Sequence, residues 1–135
     1  MNELEVIKEE LKGREDIQNP HLLAEELAIC SALLALEGKV SAKKIQKWLK
    51  KNYHWEPSEE QIRLTAVMSA MGTGSSGEIG IVPRGYRLSK QKIAQRVEFI
   101  ASNLDLGNKH PLVDSLNKHK KSKGRERYLI IEYEE

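Results

Sequence analysis

Catalysis or metal binding in this sequence would have to be built from four histidines, one cysteine and a glycine-rich stretch, and none of them carries the required spacing. His21, His54, His110 and His119 are scattered. Cys30 stands alone on an apolar stripe with Ile29, Leu33 and Leu34 around it, so no metal-ligand pattern appears. His54, between Tyr53 and Trp55, reads as a packed or exposed side chain and not as a catalytic one. The stretch GTGSSG, Gly72 to Gly77, offers backbone amides to an anion, but it lacks the Gly-Lys-Ser/Thr ending and a preceding hydrophobic strand, which leaves a flexible turn. With no Gly-x-Ser-x-Gly elbow and no paired-carboxylate signature, no enzyme activity and no cofactor are expected.

The remaining chemistry is the attraction of basic side chains for phosphate. The 135 residues carry 22 basic and 20 acidic groups, a formal charge of +2, so the total does not announce nucleic acid and the distribution must decide. Acids gather near the N-terminus (Glu3, Glu5, Glu9, Glu10, Glu15, Asp16, Glu25, Glu26) and in the last residues, whereas Lys39 to Lys51 and Arg84 to Arg96 are strongly basic. Such segregation allows a basic face on a nearly neutral protein.

The elements that would position these charges follow from apolar spacing. Leu4, Ile7 and Leu11 predict a short, weakly anchored helix over Glu3 to Lys12. Leu23, Leu27, Cys30 and Leu34, widened by Leu22, Leu33 and Leu36, predict a well-buried helix from Pro20 to Glu37 closed by Gly38. Ser41 is an N-cap for a helix whose inner face is Ile45, Trp48 and Leu49 and whose other faces carry Lys43, Lys44, Lys47, Lys50 and Lys51. After a break at Asn52 to Glu56, Ser58 and Gln61 form a capping box, and Leu64, Val67, Met68 and Met71 line the inner side of a third helix. Ile79 to Val82 and Tyr86 to Leu88 flank Pro83-Arg84-Gly85 as a β-hairpin. A helix from Ser89 carries Ile93, Val97, Ile100 and Leu104, a stripe able to pack on the domain or on a second copy. Leu112, Val113 and Leu116 suggest a further short helix, then the basic loop KHKKSKGRER (Lys118 to Arg127) and a strand-like run from Tyr128 to Tyr133. The expected class is α+β, mainly helical.

The stretch from Leu22 to Leu104 resembles winged helix-turn-helix proteins, in particular small ones of phages and prophages. The resemblance rests on the glycine-ended first helix, the Val40-Ser41 and Pro57-Ser58 entries to the next two, and IVPRGYRLSK (Ile81 to Lys90) as a wing strand running straight into a helix. It implies a three-helix core with a β-hairpin wing over residues 21–90, an N-terminal helix or arm over residues 1–20, and a C-terminal extension of helices, basic loop and terminal strand over residues 91–135. The join KNYHWEP is longer than a minimal helix-turn-helix turn.

Double-stranded DNA is then the expected partner. With the third helix seated on Leu64, Val67, Met68 and Met71, its outward side chains are Ile62, Thr65, Ala66 and Ser69 with Arg63 beside them, suited to base edges, a thymine methyl, guanine or phosphate, and Ser58 stands at the helix start. Glu59 and Glu60 would repel phosphate there. Arg84 at the hairpin tip, Gly85 with its freedom to take positive φ, Arg87 and Lys90 form the candidate wing surface, and Lys43, Lys44 and Lys47 would hold the DNA backbone. Each group has a plainer reading as ordinary solvated surface. The alternative is a winged-helix module that binds a protein, or a homodimer formed through the apolar stripe and the terminal strand. The charged N-terminal segment is neither a signal peptide nor a membrane span, and the single cysteine suits a reducing cytoplasm.

Overall fold

A computed structural model of the protein describes residues 2–70, 87–122 and 128–132. The elements in chain order are α1 (Glu3–Lys12), α2 (Pro20–Ala35), β1 (Gly38–Ser41), α3 (Ala42–Tyr53), α4 (Glu59–Ala70), β2 (Arg87–Ser89), α5 (Lys90–Ala101), α6 (Pro111–Lys121) and β3 (Tyr128–Glu132). The protein is α+β and mainly helical.

Everything is arranged around α2. Asn19 caps it through Oδ1, which accepts from the Leu22 amide at 3.1 Å, and Pro20 occupies the first turn, where its missing N–H is harmless. Every residue from Leu27 to Leu34 is buried. A helix buried on all sides must be wrapped on all sides, and α1, α3, α4, α5 and α6 all pack against it. The expected stripe was therefore too narrow here, since Ala24, Ala28, Ser31 and Ala32 bury the other faces and, being small, let neighbouring helices close in, and it was wrong at Leu22, which the uncovered first turn leaves 59% exposed. The helix stops at Ala35, with Leu36 as its cap, so Gly38 does not end it. Gly38 instead uses a φ of +73° at the start of β1.

The N-terminal helix is anchored more firmly than its length suggests. Leu4, Ile7 and Leu11 are buried in the same apolar cluster that reaches Ile131. Three polar links fix its edges: Glu10 Oε1 accepts from the Asp105 amide at 2.7 Å, Arg14 Nη1 donates to the Ile100 carbonyl at 2.6 Å, and His110 meets the Glu3 carbonyl at 3.0 Å. His110 also caps α6, its Nδ1 accepting from the Leu112 amide at 3.1 Å. The proton must then sit on Nε2, which donates to Glu3. Tyr53 lies edge-on to His110, ring centroids 5.8 Å apart. Its hydroxyl meets Ser31 Oγ at 2.8 Å while Ser31 donates to Ala28 O at 2.6 Å, so Tyr53 is the donor in that buried pair.

The sheet has the order β1-β3-β2. β3 runs parallel to β1, with Val40 opposite Ile131, and antiparallel to β2, with Leu88 opposite Leu129. Val40, Leu88, Leu129 and Ile131 are buried. The terminal strand thus completes the chain's own sheet with both edges paired, and is not offered to a second copy. The α5 stripe is likewise consumed internally: Ile93, Val97 and Ile100 are buried and Leu104 packs against the core. These two features no longer argue for a dimer. The helix α3 runs on through Asn52 to a buried Tyr53 and ends at His54 with φ +54°. Lys118 to Lys121 belong to α6 instead of a loop. The expected first wing strand, Ile79 to Val82, and the hairpin tip lie outside the described residues.

Burial in the middle of α2, then the nearby Glu26 carboxylate, push the Cys30 thiol up to about 12. Alkylation of Cys30 at pH 8 is expected to be slower than in the urea-unfolded chain by about 10³-fold or more, because reaching it requires opening a core worth about 5 kcal/mol or more. A labelling rate in native buffer close to the unfolded rate would contradict the central place of α2.

Candidate nucleic-acid interface

Among the described residues the strongest basic surface is built by α3. Ser41 caps the helix, its Oγ accepting from the Lys44 amide at 3.1 Å. Ala42, Ile45, Leu49 and Tyr53 are buried. Lys43, Lys44, Lys47, Lys50 and Lys51 are all exposed, within about 120° of arc at 3.6 residues per turn. Lys50 stands 3.8 Å from Glu56. Lys44, Lys47 and Lys51 have no carboxylate within 4.0 Å among the described residues. Two of the three α6 lysines differ, since Lys118 pairs with Asp114 at 3.1 Å and Lys120 with Glu98 at 2.9 Å. The first turn of α3 carries Lys43 and Lys44 and no acid. The helix dipole disfavours positive charge at that end, so helix stability does not account for their placement.

The helix α4 is turned from the expected face: of the expected inner stripe Val67 is buried, Leu64 and Met68 are not, and Met71 lies outside the described residues. Ile62, Ala66 and Ser69 are fully buried, with Val67 and Ala70 nearly so, whereas Leu64, Thr65 and Met68 are only half-buried. Ala66 and Ser69 therefore cannot touch a base. Their small side chains let α4 approach α2 closely, and Ser69 Oγ donates to Glu26 Oε2 of α2 at 3.4 Å. Glu26 in turn holds Arg96 of α5 through two bonds, Nε to Oε2 at 2.9 Å and Nη2 to Oε1 at 3.3 Å. This pair raises the already high pKa of Arg96, its hydrogen bond to Glu26 outweighing burial. Ser58 is exposed and its Oγ accepts from the Gln61 amide at 3.1 Å, which confirms its capping role. Arg63 and Thr65 remain half-exposed on α4.

Lys90 is the second correction. It is 1% exposed, and its Nζ donates to Leu34 O at 3.4 Å and to Leu36 O. The last turn of α2 has no basic residue of its own, so the ammonium delivered by α5 meets the negative end of that helix. A lysine so placed is unavailable to phosphate. Arg84 and Gly85 lie outside the described residues, and of Arg87 only the backbone, in β2, is described.

A groove of about 860 Å³ runs beside α4. Leu64, Thr65 and Met68 form one wall, Leu22 and Leu23 of α2 with Ile17 of the preceding connection form the other, and Glu26 and Arg96 lie within it. Sequence reasoning missed both the groove and the Glu26–Arg96 pair. Only the unusual exposure of Leu22 marks the groove, and exposure is not written in a sequence.

Compared with protein-family models, curated proteins and solved structures, the chain matches none. Among the described residues there is no group of three His, Cys, Asp or Glu side chains able to hold a metal ion, and no helix is long and apolar enough to cross a membrane.

Two outcomes test these assignments. Lys90→Met is expected to lower stability in urea by about 1–3 kcal/mol, the range for stranding buried carbonyl acceptors, without changing any affinity for DNA; a loss of affinity in a fully stable variant would return Lys90 to the binding surface. Burial, then the charge of Lys90, lower the pKa of His119, with Glu98 opposing. The unfolded chain therefore binds the proton more readily, so stability is present above the ordinary histidine value of 6.5 and is lost as pH falls through it. His119→Asn should flatten the stability profile between pH 7.5 and 5.5, and parallel profiles would dismiss the effect.

Proposed function

We propose that the protein binds double-stranded DNA mainly through the phosphate backbone, with the lysine face of α3 as the principal contact. The observation that carries this reading is the exposure of five lysines on one side of α3, three of them with no carboxylate close by. From Lys44 to Lys51 the strip covers about 10 Å of helix, roughly three base pairs of duplex axis. The order α2, β1, α3, α4, β2 supports a winged-helix-type arrangement. The sheet departs from the expected one, because β3 separates β1 from β2.

The orientation of α4 shapes the kind of binding. With Ala66 and Ser69 buried and Thr65 in the groove wall, Arg63 is what this helix keeps of the expected base-reading side chains. Base readout through so few groups is thin. The reading is therefore a DNA-binding protein, regulatory or replication-associated and cytoplasmic, whose affinity comes from phosphate and whose selectivity is for duplex structure more than for sequence.

Binding of a mixed-sequence duplex, followed by fluorescence anisotropy, is expected to weaken with salt with a log–log slope of about −3, near 0.9 for each of three to four neutralised phosphates. The triple variant Lys44→Glu, Lys47→Glu, Lys51→Glu changes only exposed side chains and should keep its thermal midpoint while losing the binding. Absence of binding by the unaltered chain at 20 mM salt would reject the proposal.

A further inference from the structure

The groove beside α4 has a chemistry opposite to that of the lysine face. We propose that it is a docking site for an amphipathic, basic α-helix of a partner protein, separate from the DNA surface. Its apolar lining is Ile17, Leu22, Leu23, Leu64 and Met68. Leu22 is 59% exposed, and Phe99, 78% exposed, lies one turn beyond the groove residue Arg96 on α5. Leu22 lines the concave surface and Phe99 stands outside its lining; a large apolar side chain left exposed in such a groove is a feature of interaction sites more than of idle surface.

The walls decide the backbone form of the occupant. Among the described residues the lining comes from α2, α4, the connections that precede them and Arg96 of α5, and from no strand. An extended peptide would find no paired strand edge there and would leave its amides unsatisfied against an apolar wall. A helix satisfies its own backbone and presents anchors at i, i+3, i+4 and i+7.

The charges decide its sign. Asp16 and Glu60 line the groove and are exposed. Glu15 adjoins the first and Glu59 the second. Glu26 is matched by Arg96 at 2.9 Å, and Arg14 holds Asp16 ionised, their hydrogen bond lowering the Asp16 pKa. Among the lining residues three carboxylates, Asp16, Glu26 and Glu60, meet one guanidinium, Arg96. That excess repels phosphate and favours lysine or arginine flanking the apolar anchors of a partner helix.

A random 16-residue peptide display library selected on the full chain tests this, with the enriched peptides then measured by anisotropy and circular dichroism. The expected peptides carry apolar residues at helical spacing and net positive charge, gain helicity on binding, and lose at least tenfold in affinity to the double variant Leu22→Glu, Met68→Glu. A milder variant, Glu60→Lys, leaves the apolar wall intact and should weaken them severalfold. A library without binders, binders that are acidic or extended, or binding that survives the double variant would overturn the inference. A mixed-sequence duplex is added as competitor. Displacement by DNA would overturn the separate-site inference while leaving DNA binding intact, and peptide binding by a chain that ignores DNA would do the reverse.

Discussion

A sixteen-residue helix with no solvent-facing side over its last two turns imposes the architecture of this protein. Once Leu27 to Leu34 are committed to the interior, the chain must supply enough apolar surface to surround them, and it does so with five further helices. The hydrophobic term scales with area removed from water, so each helix that covers α2 adds to the same core instead of starting another. This explains why α1, which a short length would leave marginal in isolation, is as well buried as the rest.

The polar interactions of the interior also converge on α2, each answering a need created by its burial. Ser31 keeps its hydroxyl satisfied through Ala28 and Tyr53. Glu26 is held by Arg96 and Ser69. The last carbonyls receive Lys90. Three different helices thus deliver four side chains to the central helix, Tyr53 from α3, Ser69 from α4 and both Arg96 and Lys90 from α5, and these contacts fix orientation where apolar packing alone would tolerate rotation. The face that α4 presents to solvent is set by this means: with Ser69 turned toward Glu26, Leu64 and Met68 are left on the groove side.

Where one apolar stripe and one capping residue agree, the sequence was enough. The span of α1 and the starts of α3 and α5 are of this kind, with Ser41 and Ser89 capping as their positions suggest. In α4 two stripes overlap, the expected one through Leu64, Val67 and Met68, of which Val67 alone is buried, and a smaller one through Ile62, Ala66 and Ser69. Bulk favours the first, but close helix approach favours the second, and which neighbour comes close is decided far away in the chain. Lys90 misleads for a similar reason, since an ammonium belongs in water unless a helix C-terminus is brought to it, and that terminus is some fifty residues earlier. The central place of β3 depends on pairing with strands about forty and ninety residues away. The lysine face of α3 was readable because it is local; the groove was not, because its two walls meet only in the folded chain.

A nearly neutral protein with sorted charges can distinguish partners without large binding surfaces. The lysines of α3 and the carboxylates beside α4 lie on adjoining elements, since α3 and α4 pack together. A polyanion that settles on α3 is turned away from the groove, and a basic helix that enters the groove is turned away from α3. Because the Debye length is about 8 Å at physiological ionic strength, this sorting acts over about the width of one helix. Within that range it acts on both ligands at once, and each should lower the mutual repulsion that the other would otherwise meet at its own site. Two ligands of opposite charge bound side by side would then favour each other's occupancy through electrostatics alone, with no movement of the core that joins their sites.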